Sequence, residues 1–187
     1  MRYLIGLLVT IGLLILLIVL IITSAGNKSE VKTTSKTLSS YSTTNATTRA
    51  IIDGPINAIP VHQQIQITVG QNSVSYVQLT GYNGEVAVSR NYSNTQNSYY
   101  NFLRALTVAG FTEGNQDPKL TNNTGFCPLG NRYNLQLIQN GKFLQNLWAT
   151  TCGGDKTFRG SLNTTLELFK MQVPDYETLV QNLDIGV

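Results

Sequence analysis

The chain holds two cysteines, Cys127 and Cys152, and a single histidine, His62. A thiol can close a disulfide, ligate a metal or, once ionised, attack a carbonyl. Bridging needs a second thiol within reach, and attack needs a base nearby. Two cysteines and one histidine are too few for a structural zinc site, so no metal and no cofactor is expected. The residues between the cysteines favour the bridge. Asn140-Gly141 has the composition of a type I′ turn and joins Arg132–Gln139 to Lys142–Thr150 as a hairpin. Pairing through that turn sets residue 154 opposite Cys127 and residue 129 opposite Cys152. That diagonal offset is roughly 7–8 Å in a regular ladder, a little beyond disulfide reach. Pro128 on one side and Gly153-Gly154 on the other make the backbone irregular enough to close it. Such a bridge would stabilise by about 3–4 kcal/mol, and it implies an oxidising compartment.

The run Leu147-Trp-Ala-Thr-Thr-Cys152, with Arg159 seven residues on, resembles the active-site stretch of sortases. Those are single-pass, extracytoplasmic cysteine transpeptidases. Over these few residues the resemblance implies Cys152 as nucleophile, Arg159 as the oxyanion-stabilising group and His62 as the base. The chain departs from the pattern in three ways. His62 sits beside Pro60 and close to an N-terminal linker, Arg159 leads into a helix rather than a strand, and Cys127 is placed to occupy Cys152. The preferred reading is therefore a disulfide, a surface arginine and a linker histidine, with the transpeptidase as the alternative.

No G-x-S-x-G, H-E-x-x-H, P-loop or G-x-G-x-x-G motif occurs. One further segment has the composition of a recognition loop. Ser89–Asn101, SRNYSNTQNSYYN, sets Tyr92, Tyr99 and Tyr100 among small polar residues, combining rigid amphipathic rings with adaptable hydrogen bonding. A glycan or an extended peptide is a plausible ligand for it. The competing reading is a polar connection in which Tyr99 opens a helix and packs inward.

The elements that position these residues read as two strand–strand–helix units. A strand covers Gln64–Val69. A hairpin follows, Ser73–Thr80 and Glu85–Arg90 about an Asn83-Gly84 turn, with Leu79 opposite Val88 and with Val77 and Val86 on their face. Ser98 caps a helix carrying Tyr99, Phe102, Leu103 and Leu106, and Gly110 stops it with Phe111 packing back. In the second hairpin Leu137 pairs with Leu144 and Tyr133 with Trp148, and Leu135 joins their face. A helix over Leu162–Gln172 has capping-box spacing in Thr164 and Glu167 and an apolar stripe of Leu162, Leu166, Phe169 and Val173. Pro174 ends it, and Asp175 caps a last short helix. The class is α+β: a two-layer domain with an antiparallel sheet of two β-hairpins and two to three helices on one face.

Residues 3–22, YLIGLLVTIGLLILLIVLII, carry no charge and are long enough to span about 30 Å of hydrocarbon. A retained transmembrane helix is expected, because the run exceeds the apolar core of a signal peptide. Residues 23–50 are rich in Ser and Thr and read as a disordered linker. Residues 51–187 are the domain. Lys28, Lys32 and Lys36 outnumber Arg2 plus the amino terminus, which by charge count holds the domain in the cytosol. The two-residue tail, the linker composition and the cysteine pair argue for the opposite face, and that orientation is taken.

Charged residues make up 12% of the chain, with a net charge of +3 and no basic run in the domain. Nucleic-acid binding is set aside on that basis. The expected protein is anchored in the cell membrane by a single pass, with its C-terminal domain extracytoplasmic. It is expected to be a non-enzymatic binding module for an envelope protein, peptide or glycan. A structural subunit of a surface assembly, self-associating through residues 3–22, is the remaining alternative; Gly6 and Gly12 do not strongly encode it.

Overall fold

A computed structural model describes residues 37–154, 156–183 and 185. The apolar segment 3–22 and the first part of the linker lie outside the described residues. The linker's second part does not behave as a linker. Leu38–Thr43 forms a 3-10 helix with Leu38 and Ser42 buried, and Thr47–Asp53 forms strand β1. The domain therefore begins well before residue 51. Ser and Thr concealed this, but threonine is β-branched and suits a pleated strand.

Five more strands and three helices follow in the expected order, so that with β1 the sheet has six strands. They are β2 (Gln63–Val69), β3 (Ser73–Thr80), β4 (Glu85–Ser93), helix α1 (Gln96–Val108), β5 (Arg132–Gln139), β6 (Lys142–Thr150), α2 (Leu162–Lys170) and α3 (Tyr176–Val180). The expected two hairpins are joined through β1 and β2 into one six-stranded sheet of order β4-β3-β2-β1-β5-β6. Every pairing is antiparallel.

Alternation along β1 sends Thr48, Ala50 and Ile52 into the core and Arg49, Ile51 and Asp53 to the other face. Their cross-strand partners follow: Ile65 and Tyr133 beside Ile52, Ile67 and Leu135 beside Ala50. Against this inner face lie Tyr99, Phe102, Leu103 and Leu106 of α1, Phe169 of α2, and Phe111 and Phe158 from the connections, all in one core cluster. The small inward residues Ala46, Thr48 and Ala50 leave volume for those rings.

Both hairpins differ in register from the expectation. The first has a four-residue loop, Gly81–Gly84, and a bulge between Gln78 and Leu79, so Leu79 pairs with Val86 and Gln78 with Val88. Val74, Tyr76 and Gln78 turn inward, while Val77 and Leu79 lie on the open face and Val86 is exposed. The cause is β2: Ile67 and Val69 oppose Tyr76 and Val74, which selects the inward side of β3. The second hairpin keeps its turn, with Asn140 at φ 52° and Gly141 at φ 73°. A bulge at Leu137/Ile138 then leaves Leu144 without a partner. That slip of one residue reverses the rest of β6. Leu147 and Ala149 turn inward opposite Leu135 and Tyr133, and Trp148 turns outward opposite Asn134. The Leu137–Leu144 and Tyr133–Trp148 pairs do not form.

The helices start and stop close to their sequence signals. Thr95, not Ser98, caps α1, its hydroxyl accepting from the Ser98 amide. The helix ends in a Schellman motif: Gly110 N–H donates to Thr107 O and Phe111 N–H to Leu106 O. Ser161 is the cap residue of α2, its hydroxyl bonded to Thr164, so the Thr164–Glu167 capping box is not used. Asp175 sits at the N-cap of α3 without capping it.

The end of α1 meets the start of α2 backbone to backbone. Ser161 N–H donates to Ala109 O at 2.8 Å. A Cβ on Gly160 would lie 2.4 Å from Gly110 O and 2.7 Å from Ala109 O, and one on Gly110 would lie 3.0 Å from Gly160 Cα. Gly160→Ala is expected to destabilise the domain by more than about 3 kcal/mol, because main chain cannot yield as a side chain would. Gly110→Ala, at φ +76°, is expected to cost about 1–2 kcal/mol. Denaturant unfolding of the two variants checks the order.

Candidate functional site

The one-residue slip in β6 widens the ladder offset between the cysteines, and irregular backbone at Cys127 makes up the distance. With Arg132 opposite Thr150, Gly130 approaches the end of β6, where an added Cβ would lie 2.3 Å from Thr151 Oγ1 and 2.6 Å from Cys127 Sγ. Only glycine fits there. Cys127 turns back at φ 49°, and its disulfide to Cys152 spans a Cα–Cα distance of 5.5 Å. No free cysteine is found among the described residues. While the bridge is closed, Cys152 has no thiol with which to attack.

His62 is not a linker residue. It is 3% exposed and belongs to a charge cluster at one end of the sheet. Asp53, last in β1, lies between Gln64 of β2 and Arg132 of β5. Its Oδ1 accepts from Gln64 Nε2 at 3.2 Å and faces His62 Nε2 at 3.1 Å. Its Oδ2 accepts from Arg132 Nε at 2.9 Å and Nη2 at 2.5 Å. The Pro55 carbonyl accepts from His62 Nδ1 at 3.1 Å, and the imidazole stacks on Tyr82 with centroids 4.1 Å apart. Neither ring nitrogen of His62 is thus free to act as a base. A cavity of about 320 Å³ opens beside this cluster. Its charged groups are already satisfied by one another, the condition under which a buried polar network holds a fold rather than a ligand.

The three tyrosines have separate fates. Tyr99 is fully buried and donates to Ala46 O at 3.0 Å, in the core rather than in a loop. Tyr92, next to last in β4, donates its hydroxyl to the Asp175 carboxylate, tying the edge strand to the start of α3. Tyr100 alone is exposed, beneath Arg104, and lines a shallow polar groove with residues of the first 3-10 helix. The expected recognition loop is therefore a strand end and the first turn of a helix.

A site without a sequence signal forms on the open face of β6. Trp148, turned outward by the bulge, is 3% exposed. Its Nε1 donates to Leu120 O at 2.6 Å, and Phe126 packs on it at 4.8 Å between centroids. Around this pair is a cavity of about 450 Å³ whose rim carries Lys119, Lys156 and Arg159. Arg159 thus lines a different cavity from His62. No family model and no curated protein matches the sequence. The reading of the site rests on its own residues. Among the described residues no group of His, Cys, Asp and Glu could hold a metal ion.

The cations of this rim come from separate stretches, which is why no run marked them. Lys119 lies in the connection between α1 and β5, and Lys156 and Arg159 in that between β6 and α2. Backbone bonds zip the two stretches together: Asn115 N–H to Thr157 O at 2.8 Å and Arg159 N–H to Glu113 O at 2.9 Å.

Two outcomes follow from these contacts. Asp53→Ala leaves Arg132 buried without its counter-ion and is expected to cost about 3 kcal/mol in denaturant unfolding. Burial, then the bond to Asp175, pushes the Tyr92 hydroxyl up to about 12, and burial pushes Tyr76 up to about 12 as well. Both folded values exceed the unfolded one near 10. The stabilisation is therefore full below pH 10 and is lost as pH rises through about 12. Tyrosine absorbance and circular dichroism should show alkaline unfolding in that window, with a smaller loss over it in Tyr92→Phe.

Proposed function

We propose that the protein is a single-pass, membrane-anchored module whose domain lies outside the cytoplasm and binds a component of the cell envelope without catalysing a reaction on it. The observation that carries this reading is the Cys127–Cys152 bridge. A bridge of this kind persists in oxidising compartments, and it occupies Cys152, the thiol a cysteine transpeptidase would need. The uncharged segment 3–22 supplies the anchor. The cavity beside Trp148 supplies a place to bind.

The sortase-like alternative would require the bridge to open and His62 to leave both Asp53 and Pro55. No observation favours it. The test uses the full chain in its native membrane. Without reductant, a polyethylene-glycol maleimide is expected to modify no cysteine; after reduction it should modify both. Protease added from outside should remove the domain in intact cells. Two reactive thiols in unreduced membranes, or a domain protected from protease, would overturn the reading.

A further inference from the structure

We infer that the cavity beside Trp148 binds a carboxylated saccharide. The inference deepens the reading of the domain as an exported binding module, on which it rests, by assigning the site and the class of ligand.

The argument begins with the way charge is divided over the molecule. In the Asp53 cluster the carboxylate meets a partner on every side, and His62 and Arg132 have theirs. Elsewhere Arg49 bonds Thr68, Arg90 a backbone carbonyl and Lys170 Glu167. Lys119, Lys156 and Arg159, like the exposed Lys142, have no ion pair or side-chain hydrogen bond among the described residues; unlike Lys142, all three line one cavity. Among the described residues no carboxylate lines it.

The neutral groups of the cavity are biased in the same direction. Asn115 Oδ1 accepts from the Asp117 amide and Asn122 Oδ1 from the Thr124 amide, which leaves the side-chain NH₂ groups as donors. The other acceptors of the cavity are likewise already engaged once. Leu120 O takes the indole N–H, and Thr157 Oγ1 takes the Trp148 amide while donating to the Trp148 carbonyl. What remains is a ring of donors, three of them cationic. An anion rich in acceptor oxygens completes such a ring, and charge-assisted bonds to it are the strong ones.

The apolar part of the cavity narrows the class. Phe126 is 39% exposed and Leu120 44%, so an aromatic face and an aliphatic edge lie beside the donors. The C–H face of a pyranose ring suits that surface, its hydroxyls suit the two asparagine amides, and a uronate carboxylate suits the cations. A bare anion would leave the apolar wall wet, and a neutral sugar would leave the cations unpaired. The volume of about 450 Å³ fits a short saccharide.

Trp148 is the single tryptophan of the chain, so its emission reports on this site alone. The experiment titrates the full chain in lipid nanodiscs with tetragalacturonate, with uncharged cellotetraose and with sodium phosphate. Tetragalacturonate is expected to change the Trp148 emission saturably, with cellotetraose and phosphate at least ten-fold weaker. Arg159→Gln and, separately, the exposed Lys119→Gln should each weaken tetragalacturonate several-fold while near-ultraviolet circular dichroism stays unchanged. Absence of saturable binding by tetragalacturonate would overturn the inference, as would equal binding of cellotetraose or unaltered affinity in both variants. Phosphate binding as tightly as the saccharide would also overturn it, in favour of a simple anion site. The thiol and protease measurements are independent of these titrations, so a failed ligand leaves the exported module standing, and reactive thiols overturn that module whatever the titrations show.

Discussion

Strand β1 is hydrogen-bonded along both edges, to β2 and to β5, and its pleat sets the orientation of the sheet. Directly paired residues share a face, so the inward direction of Ala50 and Ile52 passes to Ile67, Ile65, Leu135 and Tyr133. From β2 it passes to Tyr76 and Val74, and from β5 to Leu147 and Ala149. Each hairpin meets this imposed alternation at a bulge, where one extra residue reconciles turn chemistry with the face the core requires. The side chains best able to define a core in an isolated hairpin, Leu79 and Trp148, are the ones displaced to the outer face.

Apart from these and from Ile51 and Val77, that outer face is largely polar. Gln64, Gln66, Thr68, Asn134, Gln136 and Asn146 lie across it, bonded in pairs such as Gln66 to Gln64 and Gln136 to Asn146. Asp53 and Arg132 face each other at one end, where a carboxylate and a guanidinium both largely removed from water satisfy each other. A buried pair of this kind adds little net stability, since desolvation offsets much of the attraction. It does define a register, because a slip of one residue between β1 and β5 would bury both charges apart.

The long connection between α1 and β5 has little regular structure, and side-chain contacts hold it to the sheet. Trp148 bonds Leu120 and packs on Phe126, and the disulfide ties Cys127 to the end of β6. The β6 bulge stands behind the two Trp148 contacts, since it turns that ring outward, while the backbone turn at Cys127 closes the bridge against Gly130. The cavity and its cations are thus a consequence of the same one-residue slip that repacks the core. Binding surfaces commonly sit on connections held by a rigid sheet in this way.

Much of the fold was legible because local signals agreed with their surroundings. The helix over Tyr99–Leu106, its stop at Gly110, the Asn140-Gly141 turn and the pairing of Cys127 with Cys152 depend on spacing within a short stretch. The α+β class follows from the order of those elements. Decisions made between distant segments were not legible. The Ser- and Thr-rich run before residue 51 becomes a central strand because β2 and β5 supply its hydrogen bonds, which no composition reveals. His62 resembled a linker residue until Asp53 and Pro55 closed around it. Tyr92 and Tyr99 read as a loop, yet they answer to Asp175 and Ala46 across the domain. By itself the sequence determined where the chain turns, where helices end, which cysteines meet and that an uncharged span precedes the domain. The tertiary structure alone decided which face of each strand is buried and which cations gather at one cavity, because sheet register is set by partners far away in the chain.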